Sequence, residues 1–120
     1  MADELIRPRR SLAGKVAIVT GAGALDSGIG NARAAAILMA EDGCTVVCVD
    51  RDLQLAQRTV EMIESEGKGK AIAVQADVTS LADCENIVKV TMDKYGRLDI
   101  LFNCVGTGGK SSEDYTSLSY

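Results

Sequence analysis

Residues 15–30, KVAIVTGAGALDSGIG, decide how the rest of the chain is read. Lys15 to Thr20 is a β-branched apolar run, which predicts a strand buried on both faces. It stops at a cluster of glycines, Gly21, Gly23, Gly28 and Gly30. The residues that follow, Asn31 to Asp42, are rich in alanine and carry Ile37, Leu38 and Met39. They predict a close-packing helix that stops at Gly43. Strand, glycine-rich turn and helix in immediate succession put a helix N-terminus, with its free N–H groups and positive dipole end, beside backbone that carries no side chains. An anion can approach such a surface closely.

The same alternation continues outward. Thr45 to Val49 predicts a second strand, and Leu53, Ala56, Val60 and Ile63 mark one apolar face of a helix that ends at Gly67. Ala71 to Val74 predicts a third strand. Ser80 opens Ser-x-x-Asp as the N-cap of a third helix, whose predicted buried face is Leu81, Cys84, Ile87, Val88, Met92 and Tyr95, with Gly96 as its stop. Leu98 to Phe102 predicts a fourth strand. The order βαβαβαβ, with strands apolar on both faces, predicts an α/β fold: a Rossmann-like doubly wound parallel sheet, order 3-2-1-4, truncated after the fourth strand.

Composition narrows the function. The chain has 120 residues, 47% hydrophobic and 25% charged, a globular balance that excludes fibrous and disordered classes. A net charge of −4 argues against a nucleic-acid partner, which needs a surplus of Lys and Arg. There is no histidine, so the commonest general base and metal ligand are absent. Cys44, Cys48, Cys84 and Cys104 form no CxxC pair, which predicts buried thiols in a reducing compartment and no metal site. MADELIRPRRSLAG at the start holds no apolar run, and Asp3 and Glu4 count against a transit peptide. With no run near ~18 apolar residues, no membrane span and a cytoplasmic location are expected.

Asp50 ends the second predicted strand, 20 residues after Gly30. A carboxylate there can accept the hydroxyls of an adenosine ribose, while the glycine turn takes the pyrophosphate. The predicted organisation is therefore a polar arm at 1–14, a partial dinucleotide-binding domain at 15–106 and a loop-like tail at 107–120.

On these residues the chain resembles the N-terminal half of the short-chain dehydrogenase/reductase family. Thr20, Gly21, Ser27, Gly28, Ile29 and Gly30 resemble its TGxxxGxG motif. Val49-Asp50-Arg51 resembles the strand-end acid of its NAD-preferring members, and Asp77-Val78 the pair whose acid meets the adenine amino group. Leu98 to Gly106, LDILFNCVG, resembles its LDILVNNAG strand and turn beneath the adenine and its ribose. The resemblance implies cofactor contacts from Gly21, Ser27, Gly28, Ile29, Gly30, Asp50, Arg51, Asp77, Val78, Asn103, Val105 and Gly106. It implies NAD or NADP as cofactor. Asp50 favours NAD, because a carboxylate repels a 2′-phosphate by about 1 kcal/mol or more. Arg51 could stack on adenine or reach a 2′-phosphate.

Two positions depart from the pattern. Six residues, Ala22 to Ser27, stand where the motif has three, and Asn103-Cys104-Val105-Gly106 replaces Asn-Asn-Ala-Gly. The family's proton transfer also needs a Tyr with a Lys four residues on. Tyr95 and Tyr115 are followed at that offset by Asp99 and Ser119, so no catalytic residue is carried over. The expected function is the NAD(P)-binding portion of an oxidoreductase, a fragment or truncated product. Its full-length parent would transfer hydride to or from a carbonyl or alcohol of an unknown small molecule, as a homo-oligomer. The alternative is a non-catalytic nucleotide-binding or interaction module that uses the uncovered strand Ile100–Phe102 for a partner. Gly109-Lys110-Ser111 resembles the end of a P-loop, but the glycine required five residues earlier is Cys104.

Overall fold

The computed structural model describes residues 11–24 and 30–105. Four strands, β1 (Val16–Thr20), β2 (Thr45–Asp50), β3 (Lys70–Gln75) and β4 (Ile100–Asn103), alternate with three helices, α1 (Asn31–Glu41), α2 (Leu53–Glu66) and α3 (Leu81–Tyr95). The strands pair in parallel in the order β3-β2-β1-β4, as the chain order predicts.

Period-two alternation sorts each strand between two layers. Ala17, Val19, Val46, Cys48 and Ala71 pack with Ala32, Ala36 and Ala40 of α1 and Ala56 and Ile63 of α2. Ile18, Val47, Val49 and Val74 point the other way, onto the side of Ile87 in α3. The sheet is thus covered on both faces, which is why β1 and the middle of β2 are buried throughout. Alanines four apart on α1 put a thin ridge against the sheet and let the helix lie close to β1.

Local chemistry sets the helix ends. The Asp52 side chain accepts the Gln54 N–H at the start of α2, and Ser80 accepts the Asp83 N–H at the start of α3. Gly67 and Gly96 close the two helices, as expected. Helix α1 instead ends at Glu41 with Asp42 as its C-cap, one residue before the predicted stop.

Two expectations are corrected. Strand β4 begins at Ile100 and not Leu98, because Asp99 is engaged in fastening the strand: its carboxylate and amide both bond Val16. The buried face of α3 is also narrower than the apolar pattern predicts. Ile87 and Thr91 are its buried residues, whereas Leu81 is 74% exposed, Val88 45% and Met92 43%. Thr91 tolerates burial because its hydroxyl donates to the Ile87 carbonyl at 2.8 Å. Cys44 and Cys48 are buried free thiols, and burial pushes Cys48 up to about 12. No described helix is long and apolar enough to cross a membrane.

Candidate functional site

From β1 the chain runs outward through β2 to β3 and then crosses to β4 on the other side of β1, so a crevice opens at the carboxyl ends of β1 and β4. A cavity of about 400 Å³ lies there. Gly21 and Gly23 form one wall, Gly30, Asn31 and Ala32 at the start of α1 another, and Asp50 and Arg51 a third. Val49, Ala76, Val78, Cys104 and Val105 complete it.

Both glycines after β1 are dictated by close approach. Gly21 has φ +66°, and a Cβ there would lie 2.6 Å from the Cys104 carbonyl oxygen. A Cβ on Gly23 would lie 2.5 Å from the Leu55 Cβ and 2.9 Å from Asp50 Oδ2. Because neither residue carries a side chain, the turn lies flat against β4 and α2 and leaves the cavity open. Helix α1 starts from Gly30, an N-cap residue with no side chain to bond its first amides. That N-terminus faces the cavity through Gly30, Asn31 and Ala32.

Asp50 is held from two directions. Its Oδ2 accepts the Gly23 N–H at 3.0 Å, and its Oδ1 accepts the Asp52 N–H at 3.0 Å. A carboxylate offers about four acceptor positions, so two bonds fix its plane and leave acceptor capacity for a ligand's hydroxyls. Arg51 beside it is exposed, and its carbonyl accepts from Gln75 Nε2 at 3.1 Å.

The structure brings Gly21, Gly30, Asp50, Arg51, Val78 and Val105 into one cavity. Asp77 and Asn103 lie outside its lining. Asp77 Oδ1 accepts both the N–H and the hydroxyl of Thr79, at 2.9 and 2.6 Å. Those bonds, the hydroxyl's first, hold Asp77 below the usual carboxylate range. Its own N–H donates to Asp83 Oδ2 at 2.8 Å, so Asp77 sets the turn that carries Val78. Asn103 Oδ1 accepts from the Thr20 hydroxyl at 3.2 Å, and that hydroxyl oxygen accepts the Cys104 N–H at 3.2 Å. Asn103 borders a second hollow of about 430 Å³ between β4 and α3, with Ile18, Ile87 and Leu101. Ser27, Gly28, Ile29 and Gly106 lie outside the described residues.

Sequence reasoning missed Gly23 as a contact of Asp50, and Asn31, Ala32, Ala76 and Cys104 as lining. Gly23 carried a usable signal, a glycine two positions after Gly21, but only the fold shows that Leu55 and Asp50 occupy the space of its side chain. It also missed Arg33 and Thr59, fully buried side chains beneath the glycine turn. A lone Arg in an alanine helix gives no sign of burial.

With this geometry in view, the family model for short chain dehydrogenase matches residues 15–119. Short-chain dehydrogenase reductase 3a of Arabidopsis thaliana is 42% identical over 95 residues, which are 79% of this chain and 34% of that protein. Among solved structures, hydroxysteroid dehydrogenase from Escherichia coli superposes with a TM-score of 0.75 at 37% identity, over 82% of this chain and 40% of that one. The 3-ketoacyl-(acyl-carrier-protein) reductase from Brucella melitensis, complexed with NADH, superposes with a TM-score of 0.65 at 40% identity, over 76% of this chain and 34% of that one. The chain spans about a third of the length of the curated relatives it matches.

Proposed function

This chain belongs to the short-chain dehydrogenase family, and we propose that its cavity binds the nicotinamide dinucleotide of an oxidoreductase, NAD in preference to NADP. One observation carries the reading. The Asp50 carboxylate is fixed at the end of β2, in a cavity that also contains the N-terminus of α1. An anionic dinucleotide needs both features: amide donors and a positive dipole end for its phosphates, and an acceptor for its ribose hydroxyls. A 2′-phosphate beside Asp50 is repelled.

The bound cofactor would supply hydride transfer, and the chain's own residues would bind and orient it. Gly21 and Gly23 keep the turn low, Gly30 to Ala32 offer helix amides, and Asp50 accepts the ribose. Val78 and Ala76 give an apolar wall for the adenine, with Arg51 at its rim. Asp77 and Asn103 act in this reading by holding the turns of Val78 and Val105, and the family motif adds Ser27, Gly28, Ile29 and Gly106. No lysine stands four residues after a tyrosine in the 120 residues, so none of them is assigned the proton transfer. We assign the longer parent the reduction of a carbonyl or oxidation of an alcohol.

Titration of the chain with NADH, followed by nicotinamide fluorescence or calorimetry, tests this. Saturable binding is expected, with Asp50→Ala weakening NADH more than NADPH. No saturation up to millimolar NADH or NADPH overturns the binding site, and equal losses overturn the preference for NAD.

A further inference from the structure

Arg33 sits in the first turn of α1, fully buried, and does not line the cavity. Its Nε donates to Thr59 Oγ1 at 2.8 Å, and its Nη2 to the Leu55 carbonyl at 3.2 Å. Thr59, also fully buried, sits in the middle of α2 and donates its hydroxyl hydrogen to the Ala22 carbonyl at 2.7 Å. Ala22 lies in the glycine turn itself. Its N–H donates to the Val49 carbonyl at 2.9 Å, and the next N–H, that of Gly23, reaches Asp50.

Direction matters in this chain of bonds. A threonine hydroxyl has a single hydrogen and two lone pairs, and a guanidinium only donates. With Arg33 on one lone pair, the hydroxyl's hydrogen is free to go to a carbonyl. The Leu55 carbonyl is 3.5 Å away and Ala22 is 2.7 Å, so the hydrogen goes to Ala22. A buried charge in an alanine-rich helix is costly unless its donors are used, and these bonds use two of them on the turn's own support. Burial first and the nearby Arg58 second disfavour the charged guanidinium and lower its pKa, while Asp50 favours the charge. Arg33 therefore lies within the electrostatic reach of Asp50.

We propose that Arg33 is a positioning residue for the cofactor site, acting through Thr59 to fix Ala22 and so hold Gly23 on Asp50. The inference rests on the reading of the cavity as a dinucleotide site, but the relay has a readout of its own. Thr59→Val removes the hydroxyl and keeps the shape, Thr59→Ser keeps the hydroxyl, and Arg33→Met removes the donor.

Amide hydrogen exchange on the ligand-free chain measures the relay directly. Thr59→Val and Arg33→Met should speed exchange at Gly23 about five- to tenfold, the loss of one hydrogen bond's protection, while Val47 in the sheet is unchanged and Thr59→Ser matches the wild type. NADH titration of the same proteins should show Thr59→Val weakened by a similar factor and Thr59→Ser restored. Unchanged exchange at Gly23 in Thr59→Val overturns the relay whether or not the wild type binds NADH. Equal acceleration at Val47 also overturns it, since the bond would then support the fold at large. If exchange responds but the wild type binds no dinucleotide, the relay stands as a support of the turn and its role in cofactor binding is overturned with the binding site.

Discussion

Asp99 and Val16 are joined by two hydrogen bonds that fasten the start of β4 to the start of β1. The Val16 N–H donates to Asp99 Oδ2 at 2.9 Å, and the Asp99 N–H returns to the Val16 carbonyl at 2.9 Å. Arg97 holds the same carboxylate with Nε and Nη2, both at 2.8 Å. These donors, Arg97 first and Val16 second, pull Asp99 down to about 2. A carboxyl depressed in the folded state stabilises it above the unfolded value, near 4 for an aspartate, and that contribution fades as pH falls through the folded value. The urea midpoint should therefore drop between about pH 4 and about pH 2. Asp99→Asn should start lower at pH 5 and lose less over that window. Parallel curves for the two proteins would show that Asp99 is not the titrating link.

Gly23→Ala should cost more than Gly67→Ala, although only the second glycine has a positive φ. Gly67 sits at φ +69° with nothing within 4 Å of an added Cβ, so alanine there carries only the left-handed penalty of about 1 kcal/mol. At Gly23 the Cβ collides with Leu55 and crowds Asp50. Relief requires the turn to move, and the Gly23–Asp50 bond goes with it. Overpacking of this kind costs about 1–3 kcal/mol. Chemical denaturation should rank the two, and NADH titration should show about tenfold weaker binding for Gly23→Ala alone, the equivalent of one charge-assisted hydrogen bond. Equal NADH affinities would mean that the turn adapts without losing Asp50.

Strand order and the covering of both faces of the sheet were legible because short β-branched runs such as Val16–Thr20, bounded by glycines, mark strands covered on both faces, and helices of this length between them force parallel crossovers. Asp50 was legible for a similar reason: its spacing from Gly30 is the length of one helix and one strand. The exposed side of α3 was not. Leu81, Val88 and Met92 have the period of a buried face, and periodicity reports which residues share a side, not whether anything covers it. The Arg33–Thr59 pair was hidden because its partners are 26 residues apart on different helices. A long-range polar contact leaves no local pattern.

Thiol reactivity should separate the four cysteines by burial. Cys44 and Cys48 are fully buried, and burial is the leading cause that raises both thiols, Cys48 to about 12. Cys84 and Cys104 are partly exposed. Only the thiolate attacks, so a neutral disulfide reagent at pH 8 should modify Cys104 and Cys84 first and reach the other two only on unfolding. Mass spectrometry of partly labelled protein reads the order. Early modification of Cys48 would mean that the α1 layer opens readily. Saturating NADH should slow modification of Cys104, which lines the cavity, and leave Cys84 unaffected.

Leu101 points the edge of the sheet at solvent. It is 58% exposed in β4, whose only described partner strand is β1, and it borders the apolar hollow beside Val88 and Ile87. An unpaired apolar strand edge pairs readily with other chains. Leu101→Lys puts a charge on that edge, where the side chain gains little from burial, so it should raise the concentration at which the chain begins to scatter light. Its thermal midpoint should stay within a few degrees, since an exposed substitution usually changes stability by about 0.5 kcal/mol or less. Ala17→Lys, placed in the buried layer under α1, should instead abolish folding. If Leu101→Lys destabilises the chain as strongly as Ala17→Lys, the residue is structural and aggregation begins elsewhere.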